Sequence, residues 1–490
     1  MRKRIYLLQT LLLCAVMIFL SGCNEQAPTT QPPSAQPTAS QPPSAQTPGN
    51  VQTQTPTGDG QVYVIRIATT DETHRAEVII QAAEILTKQL AEENSGDIVV
   101  AQYIPIDAGQ IQNNMALWAK TGEMPEIIAR TNADVTAFAN SGFLIDVEYI
   151  TEGEVYTREV EKRLRDMGRV DGVMYGIIQD MEIRPMIFYK PALEALGYNE
   201  QSMLQLRNDI GAGRFTVADL QQLAKRAVDE GITQYGIMHR PNNGPEFRNM
   251  HVTFNRGQIP YRDGKVIINR QSWIDQLTYM RTNVQMGLTP YNSLTDFTWD
   301  LLEGDIWPNG KTLCWYGLIS HKWDILTIAN ITSEYFDQNF FTTPLPVSVR
   351  GDPSVSMSNP YFYALTKSAE SSEKMKEYCK RVMEIVLEPE LQLQVSLATA
   401  HMAITERTLS HPSYQADYWL TSNQYLLDYA FILPSNQYVN MMLTGADTLP
   451  VLQAAELEAL NNNPTPIARL VDDFIGKVIF QVGEGNYILE

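Results

Sequence analysis

The chain has 490 residues and a formal net charge of −19, from 37 lysine and arginine residues against 56 aspartate and glutamate residues. This acidic balance argues against a nucleic-acid-binding protein and against a protein that lies flat on an anionic membrane, because both need clustered basic side chains. The four cysteines are too few for the disulfide framework of small secreted domains.

The first 23 residues have the pattern of a secretory signal. Basic residues at 2–4 precede an apolar run over 11–20, and the segment ends in Leu-Ser-Gly-Cys at Cys23. The run is shorter than the roughly 20 apolar residues that span a bilayer, which argues against an uncleaved anchor. The ending resembles the bacterial lipobox, which implies removal of residues 1–22 and a palmitate-type lipid on Cys23. We expect a lipoprotein on the extracellular face of the cell membrane of a Gram-positive bacterium, attached only through this lipid.

A low-complexity segment follows. Residues 26–60 are rich in Pro, Gln, Ser, Thr and Gly, and Gln-Pro-Pro-Ser-Ala-Gln occurs at both 31–36 and 41–46. Such a segment cannot bury enough surface to offset its ordering entropy. At about 3.1 Å per residue, roughly 35 residues of extended Pro-rich chain reach up to about 100 Å. We interpret residues 23–61 as the lipidated cysteine and a disordered linker.

The body from about Val62 to Glu490 is long enough for two lobes. No second low-complexity linker divides it, which predicts closely packed lobes joined by short crossing segments. The cysteines of the body are Cys314 and Cys379. A disulfide between them is possible, but so few cysteines in an exported body favour buried free thiols.

The first elements of the body alternate between strands and helices. Strands are predicted at 62–68, 98–104 and 125–129, and helices at 74–93, 109–120 and 132–141. This alternation is typical of a parallel sheet that helices cover on both faces, and it predicts an α/β fold.

Short motifs along the body carry a family resemblance. They include Gly-Glu-Met-Pro-Glu-Ile-Ile at 122–128, Asp-Gly-Val-Met-Tyr-Gly-Ile at 171–177, Phe-Tyr-Lys-Pro-Ala-Leu-Glu-Ala-Leu-Gly at 188–197 and Phe-Thr-Val-Ala-Asp-Leu at 215–220, where a helix opens. In this order they resemble the extracellular solute-binding proteins of sugar-type ABC importers, the maltose-binding-protein-like family 1. Leu302 to Gly317 and a late helix over 371–403 continue the likeness, which covers the whole body.

The chain departs from the family's pattern at three of these motifs. Glu126 replaces the usual Asp, Ile178 stands where Pro is common, and Ala403 stands where a late Pro is expected. These departures affect the expected geometry of the hinge and the pocket rather than the fold.

The resemblance implies a two-lobed, periplasmic-binding-protein-like fold of type II, with several chain crossings at the hinge and extra C-terminal helices. It places the lobes and the hinge by residue ranges: lobe 1 at 62–179 plus 347–398, lobe 2 at 183–343 plus 402–490, and hinge segments near 179–182, 344–346 and 398–401. It further implies a monomeric carrier without catalytic residues, metal or cofactor, which delivers a carbohydrate to ABC permease subunits. An oligosaccharide is favoured, while a peptide or another polar solute stays open.

Ligands of open α/β sheets bind beyond the carboxyl ends of the strands. In the first lobe these positions are Thr70, Asp71, Arg130 and Asn132. Carboxylate, arginine and amide groups suit sugar hydroxyls, and a flat aromatic ring suits the apolar face of a sugar. We therefore expect these residues to contact the ligand.

Four of the seven tryptophans lie between residues 299 and 323, in the second lobe. Trp315 and Tyr316 end a predicted strand just before Gly317, and Trp323 follows on a helix. These three side chains are the aromatic candidates for the ligand site. The alternative is that they belong to the core.

Polar candidates complete the predicted site: Asp180, Glu182, Asn242, Glu246 and His401. Asp180 and Glu182 either bridge sugar hydroxyls, remain as solvated charges, or form a hinge salt bridge with Arg184. Asn242 and Glu246 lie in a loop after a predicted strand at 235–238, and either reach the ligand or turn the chain.

The sequence contains little evidence of an enzyme. The six histidines show no metal-ligand spacing, Gly310-Lys-Thr lacks the leading glycine of a phosphate loop, and no Gly-x-Ser-x-Gly turn occurs. Two alternatives stay open. One is a lipid-anchored glycosidase or polysaccharide lyase, because paired carboxylates can cleave glycosides. The other is a ligand-sensing lipoprotein without a permease, because a fold does not determine function.

Overall fold

The computed structural model describes residues 60–70, 73–107, 110–242, 244–432 and 436–490. The predicted signal, Cys23, almost the whole linker and Asp71 lie outside the described residues. Within the described ranges, no helix is both long enough and apolar enough to cross a membrane.

The strands of the described chain form sheets of six, four, three and two strands. They are β1 (Val62–Thr69), β2 (Ile98–Pro105), β3 (Ile127–Thr131), β4 (Arg169–Val170), β5 (Val173–Met174), β6 (Ile177–Ile183), β7 (Met186–Tyr189), β8 (Tyr235–Met238), β9 (Tyr261–Arg262), β10 (Lys265–Ile268), β11 (Thr312–Tyr316), β12 (Phe340–Thr343), β13 (Ser356–Leu365), β14 (Ala430–Phe431) and β15 (Tyr487–Leu489).

Helices surround these sheets. They are α1 (His74–Glu92), α2 (Ile111–Thr121), α3 (Asn132–Asn140), α4 (Glu148–Thr151), α5 (Glu154–Glu159), α6 (Lys190–Ala195), α7 (Glu200–Gly211), α8 (Val217–Asp229), α9 (Pro245–Phe254), α10 (Arg270–Gln285), α11 (Trp299–Leu301), α12 (His321–Ile328), α13 (Ser333–Asn339), α14 (Glu373–Ile385), α15 (Pro389–Thr399), α16 (Glu406–Leu409), α17 (Pro412–Ala416), α18 (Tyr418–Asn423), α19 (Gln437–Thr444), α20 (Thr448–Leu457) and α21 (Ile467–Val482).

The largest sheet has the order β2-β1-β3-β13, and β6 and β14 both pair with β13. β1, β2 and β3 are parallel, and β13 runs antiparallel to β3. Ile65 and Ile67 of β1 pack with Ile79 and Leu86 of α1 in a first hydrophobic core. The alternating strands and helices predicted for this part of the chain are confirmed. Gly122 ends α2 in the left-handed conformation at φ 76°, which explains the glycine of the Gly-x-x-Pro motif.

The four-stranded sheet has the order β12-β7-β11-β8, with β11 parallel to β8 and antiparallel to β7. It forms a second hydrophobic core with α7, α8 and α10. α8 begins with a capping box, in which Thr216 Oγ1 accepts from the Asp219 backbone N–H and Asp219 accepts from the Thr216 N–H. The helix predicted to open at 215–220 is therefore confirmed.

Both cysteines of the body are buried free thiols. Cys314 packs in the second core and Cys379 in the first. Burial raises the pKa of each thiol, which makes both poor nucleophiles. The prediction of buried free thiols is confirmed.

Strands β6 and β13 carry the chain between the two cores. Ile183 packs in the first core and Met186 in the second, so the chain crosses just after β6. On β13, Met357 belongs to the second core and Phe362 to the first. β13 runs antiparallel to β6, and Met402 forms a further bridge to Met181 with backbone hydrogen bonds of 2.9 and 3.0 Å.

One predicted crossing between the lobes lies at a different place in the structure. Residues 344–346 were expected to cross, but Leu345, Val347 and Val355 all pack in the second core. Val347 also pairs with Thr216 and donates its N–H to the Phe215 carbonyl at 3.3 Å. The chain therefore returns along β13, later than the sequence suggested.

The late helix predicted over 371–403 is two helices, α14 and α15. Glu388 is extended at φ −62° and ψ 140°, and Pro389 begins α15, because proline cannot continue a preceding helix.

The C-terminal stretch packs in both cores. Leu426 and Leu427 pack in the first core, whereas α19, α20 and α21 contribute to the second. The stretch 402–490 thus does not pack as one part of the second lobe.

Candidate functional site

Polar side chains collect where the largest sheet meets the crossing strands. Thr70 follows β1, and Arg130 and Thr131 end β3. Tyr361 of β13 lies opposite Thr131, and Asp180 of β6 lies opposite Tyr361. Because the strands are neighbours in the order β1-β3-β13-β6, these residues lie in one row across the sheet, which follows the carboxyl ends of β1 and β3.

Arg130 and Thr70 contact each other at this edge. Arg130 Nη1 donates to Thr70 Oγ1 at 3.0 Å, and its Nε and Nη2 approach Asp134 Oδ2 at 2.7 and 2.6 Å. The Arg130 and Asp134 side chains stay 12% and 16% exposed. Asn132 begins α3 directly after Thr131. The structure thus places Thr70, Arg130 and Asn132 together at the strand ends, where the sequence argument expected them.

A first ion cluster, formed by Arg75, Asp180, Tyr361 and His401, lies beside this edge. Arg75 pairs with Asp180 through Nη1, which also donates to Gln179 Oε1 at 2.8 Å. His401 Nδ1 lies 2.9 Å from Asp180 Oδ1, and the Arg75 Cζ lies 3.6 Å from the centroid of the Tyr361 ring. Arg75, Asp180 and His401 are almost completely buried. Asp180 and His401 therefore bind each other and Arg75 instead of facing an open site.

Charge pairing controls the ionisation of this first ion cluster. Burial alone raises the pKa of Asp180, but Arg75 and His401 lower it overall. Burial alone lowers the pKa of His401, but Asp180 raises it overall. Asp180 is thus held as a carboxylate, and His401 is favoured as an imidazolium that donates to it.

A second ion cluster contains Glu182, Arg184, Arg240, Glu246 and Arg248. Arg184 donates from Nη2 to Glu182 Oε2 at 2.5 Å and from Nη1 to Glu246 Oε1 at 2.9 Å. Arg240 Nη1 donates to the other Glu246 oxygen at 2.5 Å. Burial alone raises the pKa of Glu246, but Arg184 and Arg240 lower it to about 2. The predicted alternative of a salt bridge between Glu182 and Arg184 is confirmed.

Helix α9 positions this second ion cluster against the crossing strands. Glu246 lies in the first turn of α9, where the positive end of the helix dipole favours a carboxylate. One turn later, Asn249 Nδ2 donates to the Arg184 carbonyl at 2.7 Å, and Asn249 Oδ1 accepts from the Met357 N–H at 2.9 Å. Asn249 therefore joins β6 and β13. The sequence offered no signal for this role.

Two of the three aromatic candidates lie in the core, which corrects their prediction as ligand contacts. Trp315 is 0% and Tyr316 2% exposed, because both faces of β11 are covered. Trp315 stacks on Trp307 with centroids 5.0 Å apart, and the Tyr316 hydroxyl donates to the Tyr279 hydroxyl at 3.1 Å. Trp323 is exposed on α12.

Trp299 is the aromatic residue at the second ion cluster. Its side chain is half-buried, and its ring lies edge-on to Trp307 with centroids 6.2 Å apart. The Arg240 Cζ lies 5.0 Å from the Trp299 ring centroid. Asn242 is exposed beside them and accepts from Arg240 Nε at 2.7 Å. The tryptophan-rich segment signalled an aromatic site, but its spacing did not distinguish Trp299 from the buried rings.

Solved structures share this architecture, although no family model and no curated protein matches the chain. Maltose-bound MalE3 of T. maritima is 15% identical with a TM-score of 0.62, over 86% of this chain and 100% of that one. A cyclo/maltodextrin-binding protein with maltotetraose is 13% identical with a TM-score of 0.63, over 87% and 99%. A Listeria monocytogenes ABC substrate-binding protein with cycloalternan is 14% identical with a TM-score of 0.60, over 86% and 99%.

The chain has the two-lobed, type II solute-binding fold. The resemblance inferred from the short motifs is therefore confirmed at the level of the fold. In this solute-binding fold the two cores correspond to the two lobes, and β6 and β13 cross between them. Two of the three matched proteins are described as binding proteins, one for cyclo/maltodextrin and one as an ABC substrate-binding protein.

Three buried residues, Ser293, His239 and Glu456, have the residue types of a catalytic triad. Ser293 Oγ donates to Glu456 Oε2 at 2.7 Å, and His239 Nε2 lies 2.7 Å from Glu456 Oε1. His239 Nδ1 lies 2.8 Å from the Arg240 carbonyl. In a catalytic triad the carboxylate binds Nδ1 and leaves Nε2 for the serine. Here Glu456 binds both partners, so the arrangement does not match a nucleophilic relay.

Two surface cavities lie away from the predicted site. One, of about 500 Å³, is lined by residues of α7, α8 and the segment at Arg350. The other, of about 470 Å³, is lined by residues of α21 and Asp447. None of the predicted ligand residues lines either cavity. In the described part of the chain, no group of three or more His, Cys, Asp and Glu side chains is arranged to hold a metal ion.

Proposed function

We propose that this protein is the substrate-binding component of an ABC importer, which binds a carbohydrate between its lobes and delivers it to permease subunits. The observation that carries this proposal is the two-lobed fold, shared with proteins solved in complex with maltose, maltotetraose and cycloalternan. The type of ligand comes to this chain only as a proposal, since the sequence identity is 13–15%.

The ligand site of this proposal lies between the edge at Arg130 and the second ion cluster. Trp299 offers a partly accessible ring to the apolar face of a sugar, and Arg240 and Asn242 offer donors to its hydroxyls. Thr70 and Arg130 offer donors from the first lobe. A closed state gains contacts from both lobes, so the ligand shifts the population toward closure.

The lipobox-like ending at Cys23 and the linker after it support membrane anchoring. In this proposal the lipid holds the body at the extracellular face of a Gram-positive cell membrane, close to the permease. The acidic body itself has little attraction for an anionic surface, so the lipid supplies the attachment.

Asp180 and Glu246 are poorly suited to act as the general acid of a glycosidase. A general acid needs a raised pKa, whereas the pKa values of Asp180 and Glu246 are lowered by their arginine partners. Glu182 is also paired, with Arg184. The proposed carrier performs no chemistry and requires no cofactor.

Isothermal titration calorimetry with a panel of neutral and acidic oligosaccharides tests the proposal. We expect one class to bind, and Trp299→Ala to weaken that binding by about 1 to 3 kcal/mol, the scale of a lost aromatic contact. Trp118→Ala is the matched control, because it removes a half-buried tryptophan of α2 that packs at the margin of the first core. Chromatography of the incubated sugars should show no products. Failure of every carbohydrate to bind would contradict the proposal.

A further inference from the structure

His239 has an oxygen acceptor at each of its two ring nitrogens. The residue directly follows β8 and is 4% exposed. Its Nε2 lies 2.7 Å from Glu456 Oε1 in α20, and its Nδ1 lies 2.8 Å from the Arg240 carbonyl oxygen. A carboxylate and a carbonyl accept hydrogen bonds and donate none, so both contacts are hydrogen bonds only when each ring nitrogen carries a proton. The geometry therefore fits an imidazolium.

The hydroxyl of Ser293 agrees with this protonation state. Ser293 Oγ donates to Glu456 Oε2 at 2.7 Å and lies 3.3 Å from His239 Nε2. Because the hydroxyl proton is directed to Glu456, the Ser293 oxygen presents lone pairs to the ring, and Nε2 is again required to donate. Ser293 and Glu456 are each 1% exposed, so these hydrogen bonds are shielded from bulk water.

The charged groups around His239 stabilise the imidazolium. Burial alone lowers the pKa of His239, but Glu456, the Arg240 carbonyl and Glu246 raise it overall. Glu246 approaches from α9, where the neighbouring Phe247 ring lies edge-on to the His239 ring with centroids 5.0 Å apart. Arg240 directs its own charge to Glu246, with Nη1 at 2.5 Å from Oε2. The carboxylates that face the ring thus come from α20 and α9.

The Nδ1 hydrogen bond orients the backbone that carries Arg240. The pairing of β8 has ended before this residue, and Pro241, which follows it, has no N–H to donate. The bond from His239 fixes the carbonyl of the peptide between Arg240 and Pro241. The guanidinium group then lies with its Cζ 5.0 Å from the Trp299 ring centroid and its Nε 2.7 Å from Asn242 Oδ1.

We propose that His239, protonated on both ring nitrogens, is a positioning residue that ties the Arg240 backbone to Glu456 and so holds Arg240 in place in the ligand site. This inference rests on the proposed function and deepens it. Loss of one proton leaves a ring lone pair facing an oxygen atom, which repels it. Because the pKa of His239 is raised above its ordinary value of 6.5, ligand affinity is complete below that value and is lost as the pH rises through the folded pKa.

Nitrogen-15 NMR of histidine-labelled protein tests the protonation without a sugar. The signals of His239 are those that disappear in His239→Gln. We expect both ring nitrogens of His239 to be protonated at about pH 6.5, where an ordinary histidine is half deprotonated. A predominantly neutral His239 ring at this pH would overturn the inference.

Calorimetry between roughly pH 6 and 9 tests the positioning role. The probes are maltotetraose and the other oligosaccharides of the panel. We expect His239→Gln to bind about fivefold more weakly than the unchanged protein at the low end, and the two affinities to converge at the high end. His74→Gln, at the partly exposed start of α1, is the matched control and should bind normally at every pH. A constant ratio between the unchanged protein and His239→Gln would overturn the inference and leave the proposed function standing.

Glu456→Gln provides the second variant if His239→Gln does not fold. It keeps an acceptor for Nε2 but removes the charge that stabilises the imidazolium, so the loss of affinity should move to lower pH. An unmoved midpoint would overturn the inference. Absence of binding by every oligosaccharide to the unchanged protein would overturn both the inference and the proposed function.

Discussion

Asp180 and His401 were predicted as ligand contacts, and their environment assigns them a structural role. Both are buried in the first ion cluster, where they join residues of α1, β6 and the segment after α15. A polar residue at a strand end contacts a ligand only if its own partners leave it free. Here Arg75 and the two predicted residues satisfy one another, and the cluster ties together the segments that cross between lobes.

This first ion cluster should make stability depend on pH. The pKa of His401 is raised, so its stabilisation is complete below the unfolded value of about 6.5 and is lost as the pH rises through the folded value. The pKa of Asp180 is lowered, so its stabilisation is present above about pH 3.9 and lost as the pH falls through its folded value.

We therefore expect His401→Gln to reduce the free energy of unfolding by about 2 kcal/mol between about pH 4 and 6.5, because a charged hydrogen bond is lost. At higher pH the reduction should shrink. Urea denaturation across this range measures both effects, and His74→Gln on the partly exposed start of α1 is the control. An equal loss at every pH would show that the charge of His401 contributes nothing.

Trp315 and Trp299 differ in whether neighbouring residues cover their rings. The sequence places both in one tryptophan-rich segment, but Trp315 stacks inside the second lobe and Trp299 borders the second ion cluster. The difference depends on which neighbours cover each ring, and the spacing along the chain contains no such information.

At the scale of elements, the crossing strands β6 and β13 form the connection between lobes. All residues of β6 are buried, and Asn249 of α9 hydrogen-bonds to the backbone at Arg184 and at Met357. The connection between the lobes is therefore held in place by its own burial and by the hydrogen bonds of Asn249. A rotation of the lobes would be taken up by a few residues next to these strands, as in hinged binding proteins.

Lobe closure can be measured by small-angle X-ray scattering. We expect the radius of gyration to fall when the tightest-binding oligosaccharide of the calorimetric panel saturates the protein, because the closed state gains contacts from both lobes. Trp299→Ala at the same ligand concentration is the control and should show a smaller change. A constant radius of gyration in the presence of calorimetric binding would argue against closure.

At the scale of the whole molecule, an acidic chain is combined with a predicted N-terminal lipid signal and a Pro-rich segment after it. The net charge of −19 gives the chain little attraction for anionic surfaces. Screening at physiological salt limits the repulsion between the chain and such a surface to about 8 Å.

The proposed anchor depends on Cys23. Cys23→Ala removes the sulfur that would carry the lipid, so we expect this variant to incorporate no radioactive fatty acid. Cys14→Ala changes a cysteine inside the predicted signal and should leave the label in place. Metabolic labelling followed by immunoprecipitation distinguishes the outcomes. Fatty acid on the Cys23→Ala variant would exclude Cys23 as the site of lipid attachment.

Local patterns were sufficient for much of the fold. The helix that begins at His74 follows from apolar spacing. The start of α8 was predicted from the family resemblance, and the capping box of Thr216 and Asp219 forms there. The predictions were wrong where long-range packing determines which segments of the chain meet. Pro344–Pro346 looked like a crossing, but Val347 pairs beside Thr216, and the chain crosses on β13 instead.

For the candidate site, the sequence by itself determined the edge: polar residues that follow parallel strands lie together, as Thr70 and Arg130 do. Only the tertiary structure decided which side chains are free there. Asp180 and His401 are occupied by Arg75, and Trp315 is covered, while Trp299 and Arg240 remain accessible. The physical reason is that strand ends depend on short-range hydrophobic periodicity, whereas burial and ion pairing depend on residues up to 326 positions apart, such as Arg75 and His401.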